Sequence, residues 1–200
     1  MADDLSETLL SGDEYEQAAA LTRRVFPVSL RAKIRICLGT LLVAVVLFPA
    51  VSVRVELIRR LEGSAAGPRP AFVLVAAIGL GVTFVSGLVF VRQLWLIRTN
   101  EFGSTAAKRL IRVEDFVMAI MISTGLLFVV TPVLLALLGA AFPEFVASLY
   151  EQDIRIYRTD GSLLADPRIA SGGGVVLAAA LFLANVVATE LPRRTDRNEQ

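Results

Sequence analysis

The chain has 200 residues, 55% of them hydrophobic, and a formal net charge of +1. Its mean hydropathy is +0.65, well above that of a soluble domain. It has no histidine and a single cysteine, Cys37, which excludes histidine-based haem and zinc ligation, Ser-His-Asp and Cys-His catalysis, histidine pH sensing and an intrachain disulfide.

In chain order, residues 1–35 read as a cytoplasmic N-terminal segment whose first ten residues have a disordered composition. The stretch SGDEYEQAAALTRRVFP then places Ser11 and Glu14 at capping-box spacing and stops at Pro27. Its apolar face of Tyr15, Ala18, Leu21 and Val25 or Phe26, with a basic C-terminal end, predicts a short helix lying on the inner membrane surface. A leading segment this long and acidic lacks the form of a cleaved secretory signal.

Four uncharged runs follow: between Arg35 and Arg54, Ala71 to Val91, Phe116 to Pro143, and Ile169 to Thr189. Each is close to or above the roughly 18–20 residues that a helix needs to cross about 30 Å of hydrocarbon. A buried helix of a soluble protein would carry polar positions at helical period, and these runs show almost none. The expected architecture is an all-α integral membrane protein, a four-transmembrane-helix bundle. The spans fall at about 36–53, 71–97, 116–142 and 172–191 within a domain of 36–191, followed by a cytoplasmic tail at 192–200.

Charge orients the spans. Thirteen of the 20 basic residues lie before span one, between spans two and three, or after span four, whereas seven lie in the other two connections. The positive-inside rule then places both termini in the cytoplasm of a multi-pass cell-membrane protein. In the first connection the first helix runs past the membrane and ends at Gly63. In the second, Gly103 ends one helix and Ser104 caps the next, so a short hairpin joins spans two and three, its arginines serving as topology and lipid-headgroup anchors. The third connection, an external loop at 143–171, contains DIRIYRTDGSLLAD. This alternates around Asp160-Gly161 and predicts a small β-hairpin.

No enzyme motif emerges. Gly79 and Gly81 sit inside a span rather than after a strand, and the glycines from Gly172 to Gly174 lack the lysine of a nucleotide loop. The adjacent carboxylates Glu114 and Asp115 point about 100° apart on a helix, so they do not share a proton. They read as ion-pair partners for Arg92, Arg109 or Arg112, with a cation or headgroup site that includes Glu190 as the weaker reading.

What the spans do carry is packing grammar. Gly79, Thr83 and Gly87 on span two, and Ala180, Ala184 and Ala188 on span four, recur at four-residue spacing that permits close helix approach. Pro49 and Pro132 are expected to bend spans one and three. Asn185 lies about six residues, roughly 9 Å, to the cytoplasmic side of mid-membrane. At a similar depth fall Thr40, Ser86, Ser123 and Thr124. This layer reads as interhelical glue, with a substrate-contacting site as the alternative.

The resulting expectation is a non-enzymatic polytopic membrane protein, a scaffold or accessory subunit of a membrane complex; the alternative is a small oligomeric channel or transporter for an ion or small solute. No cofactor and no metal is implied. The expected partners are the lipid bilayer and either a second copy or another membrane protein; nucleic acid is not among them, since no folded basic domain exists to bind it.

Overall fold

The computed structural model describes residues 25–53, 70–99, 104–152, 154 and 163–190. Four helical segments within them are long and apolar enough to cross a membrane: Leu30–Ser52, Ala71–Thr99, Thr105–Ala141 and Pro167–Glu190. The expected surface helix before Pro27, the first connection and the C-terminal tail lie outside the described residues, apart from Val25 and Phe26 of that helix's apolar face.

The first span is α1 (Leu30–Val43), a 3-10 turn at Ala44–Val46, and α2 (Leu47–Ser52). Ser29 opens it, its side chain accepting from the Ala32 amide at 3.3 Å. The second span is α3 (Ala71–Thr99). The third is α4 (Ser104–Ile120), a π-helical turn at Met121–Leu126 and α5 (Leu127–Ala141). The fourth is α7 (Pro167–Glu190). The second span is the hub, packing against the other three.

Outward positions are as apolar as inward ones. Leu134, Leu183 and Val187 are exposed, whereas Leu41, Phe90 and Leu181 are buried. A helix apolar all round suits hydrocarbon rather than water. The third span has 37 residues, about 55 Å at 1.5 Å per residue, so it must project well beyond a 30 Å hydrocarbon layer.

Both proline-bearing spans are irregular just before the proline. In the first, the hydroxyl of Ser171 from the fourth span donates to Ala44 O at 3.1 Å and accepts from Phe48 N at 2.9 Å. It thereby stands where the helical Phe48-to-Ala44 bond would run. Pro49 has no N–H for Val45 O and its ring crowds the preceding turn, which is 3-10 and is bridged by this neighbouring hydroxyl. In the third span the π-turn precedes Pro132.

The third connection differs from the expected loop and hairpin. Pro143–Glu151 forms a short helix, α6, which Pro143 starts at a position where its missing N–H costs nothing. Leu163–Ala165 is a 3-10 turn, and no strand occurs among the described residues. The turn dipeptide Asp160-Gly161 itself lies outside them. The β-hairpin is therefore not supported: the alternating pattern was short, and a lone two-stranded ribbon is marginal.

The fourth helix also starts earlier than 172. The Asp166 carboxylate accepts from the Arg168 amide at 2.9 Å and caps it, with Pro167 as the first helical residue. The triple glycine lies inside the helix. Of the three, Gly174 is required, because a Cβ there would sit 2.7 Å from Leu41 O of the first span.

Candidate functional site: a buried ion pair at the basic end

Lys33 lies near the start of α1, in the buried stripe Leu30, Ile34, Cys37, Leu41. Glu114 lies in α4 within the stripe Ala107, Ile111, Met118, Met121. Their side chains meet with Lys33 Nζ 3.0 Å from Glu114 Oε2, each only 1% exposed. Asp115 Oδ1 is 3.9 Å from the same ammonium. Phe90 of the second span offers its ring face 6.0 Å away, at the limit of a cation–π contact. The Asp115 carboxylate also accepts from Val25 N at 2.9 Å and Phe26 N at 3.4 Å.

Segment 25–29 and the first three spans thus converge on one ammonium and two carboxylates. The chemistry available is charge neutralisation in a dry site. A lone buried charge is prohibitively costly, whereas a paired and hydrogen-bonded one is tolerated. Gln93 sits one turn beyond Phe90 and is buried, with Oε1 lacking a partner. It falls at heptad spacing from Gly79 and Ser86 on α3. Among the described residues no three His, Cys, Asp or Glu side chains converge as metal ligands.

Glu114 therefore pairs with Lys33 rather than with Arg92, Arg109 or Arg112. Those three are exposed and form no ion pair among the described residues. Glu190, at the end of α7, is exposed. The missed signal was periodicity. Lys33 falls four residues before Cys37, and Glu114 falls at the three-four spacing of Ala107, Ile111, Met118 and Met121, so both lie on apolar faces.

Among the described residues no hydrogen bond joins the members of the polar layer to one another. Thr40 is buried but donates to its own Ile36 O at 3.0 Å. Ser123 is exposed and donates to Ile120 O at 3.3 Å. This is the local exit open to any serine or threonine on a helix. Ser86 is buried, while Thr124 and Asn185 are half-buried. Asn185 has no side-chain hydrogen bond among the described residues.

The small-residue face of span two is used inside the chain. A Cβ on Gly79 would lie 2.8 Å from Phe128 Cβ, and one on Gly87 would lie 2.5 Å from Leu181 Cδ2. Thr83 is fully buried; its Oγ1 has no partner and would lie 2.5 Å from a Cβ on Gly125. Of Ala180, Ala184 and Ala188 on span four only Ala188 is buried. Ala184 is half-buried and Ala180 exposed, because the inward stripe there is Ser171, Gly174, Ala178, Leu181 and Ala188. At that helix's end Arg98 donates to the Ala188 and Thr189 carbonyls, capping its C-terminus.

Comparison with protein-family models, curated proteins and solved structures returns no match.

Proposed function

We propose that the chain is a non-enzymatic multi-pass protein of the cell membrane, with cytoplasmic termini, serving as a scaffold or accessory subunit of a membrane complex. The observation that carries this reading is the interior. The spans close through apolar and backbone contacts at Gly79, Gly87 and Gly174, and the only buried charges among the described residues are Lys33 and Glu114, which neutralise each other. A solute path needs a continuous polar stripe along a helix face; the buried polar residues of the second span, Thr83, Ser86 and Gln93, are interrupted by Leu80, Gly87, Phe90 and Leu94, which pack into the core. Asp115, by holding the Val25 and Phe26 amides, fixes where the preceding segment joins the bundle and suits a partner-presenting role. Those partners are the bilayer together with a second copy or another membrane protein.

The second reading, a small oligomeric channel or transporter, is favoured by the same ion pair, since ionisable groups within membrane bundles commonly mark transport routes. Liposomes containing the protein, assayed with ion and small-solute probes, separate the two. The scaffold reading expects background flux. Selective flux abolished by Glu114→Gln would replace it with the transport reading. Orientation is tested in a Cys37-free background: a cysteine at position 162 should react with an impermeant thiol reagent on intact cells and one at position 104 should not. The reverse pattern would invert the topology.

A further inference from the structure

We propose that a groove between the second and third spans binds an anionic phospholipid, one acyl chain lying along it and the phosphate held by Arg92 and Arg109. The groove has a volume of about 370 Å³ and is walled by Val82, Val85, Ser86 and Val89 of α3 and by Val117 and Ile120 of the third span, Ser86 being the single polar side chain. Gly81 lies at its far end, where an added Cβ would meet no atom within 4 Å. Val85 is 60% exposed, so the groove opens towards lipid. From Gly81 to Val89 it runs about 12 Å along the membrane normal, the direction of an acyl chain.

Followed towards the basic end, each wall leads to an exposed arginine. Arg92 lies two turns beyond Val85 on the same face of α3. Arg109 lies about three turns before Ile120 on the same face of α4. Both guanidinium groups are exposed and form no ion pair among the described residues. Neither acid described on these two spans opposes them. Glu114 is turned inward to Lys33, and Asp115 is engaged by Lys33, Val25 and Phe26. Among the described residues the groove mouth is therefore positive.

The chain alone supplies little selectivity, because lipid tails are as apolar as the groove wall. The headgroup supplies it. Arg31, Arg35, Lys108 and Arg112 are also exposed at this end, but they do not continue the walls of the groove. They attract anionic lipid diffusely, whereas Arg92 and Arg109 hold a phosphate whose chain is already seated.

The test is native mass spectrometry of the full chain titrated with phosphatidylglycerol or phosphatidylcholine of matched acyl chains. Phosphatidylglycerol should bind more tightly, and Arg92→Gln and Arg109→Gln should each weaken it about five-fold, equivalent to ~1 kcal/mol per cation. Gly81→Leu should weaken both lipids without lowering the melting temperature. Should it lower that temperature, Val85→Phe blocks the same groove from an outward position. Arg31→Gln/Arg35→Gln, which removes only diffuse attraction, should weaken phosphatidylglycerol binding by less than either single groove variant. Equal affinity for the two lipids, an equal loss in the Arg31/Arg35 variant, or unchanged binding in the groove-blocked variant would each overturn the site.

Discussion

Replacing Lys33 by methionine removes an ammonium from a site where Glu114 stays behind. At 3.0 Å and an effective dielectric near 20, the direct attraction is about 5 kcal/mol before desolvation is counted. Deleting one partner of a buried pair costs about 3–5 kcal/mol, chiefly because the remaining charge is stranded. Glu114 keeps contacts beyond Lys33, so the lower end, about 3 kcal/mol, applies. At roughly 2–4 °C per kcal/mol for a chain of this size, melting should fall by about 10 °C. Glu114→Gln should cost about half as much, since Asp115 still accompanies the ammonium at 3.9 Å and glutamine still accepts a hydrogen bond. The double variant Lys33→Met/Glu114→Leu should recover to within about 1 kcal/mol of the parent, because no charge is then stranded. The only cysteine of the sequence, Cys37, reports the transition: it is fully buried, so a thiol-reactive fluorophore labels it as the bundle opens. Additive effects, or a Lys33→Met melting point within 2 °C of the parent, would refute the pairing.

The glycines of the second span should rank by what an added methyl meets. Gly79→Ala meets Phe128 Cβ and backbone at 2.8–3.0 Å and should cost about 1–3 kcal/mol; Gly87→Ala meets only the movable end of Leu181 and should cost less, and Gly81→Ala should be neutral in the same thiol assay. Ser171→Ala removes the hydroxyl that bridges Ala44 O and Phe48 N and should cost about 1–3 kcal/mol; an unchanged melting curve would mean that the first span closes its own gap. Asn185→Leu should be neutral or slightly stabilising, and additive with Thr40→Val, Ser86→Ala and Ser123→Ala. Non-additivity with any of them would reveal a hydrogen bond across the bundle that the structure does not contain.

The sequence by itself determined the class of object, four apolar helices packed as a bundle, because membrane length and backbone hydrogen bonding leave so few alternatives for uncharged runs of this length. It also marked Gly79 and Gly87 as close-approach positions, since only small side chains admit a neighbouring backbone. Which helix each glycine faces was decided by the tertiary structure: Gly79 meets the third span and Gly87 the fourth. The same is true of every polar pairing. Periodicity places Lys33 and Glu114 on apolar faces, but their union spans 81 residues of sequence and depends on how the first and third spans are set against each other. Thr40 and Ser123 were aligned with Asn185 by depth, yet each spends its hydroxyl on its own helix. Depth is one-dimensional and legible along the chain; rotation about each helix axis comes only from packing. Ser171 is the clearest case. By sequence it falls at the end of the external loop 143–171, and only the break before Pro49 in another helix explains why a hydroxyl is needed there.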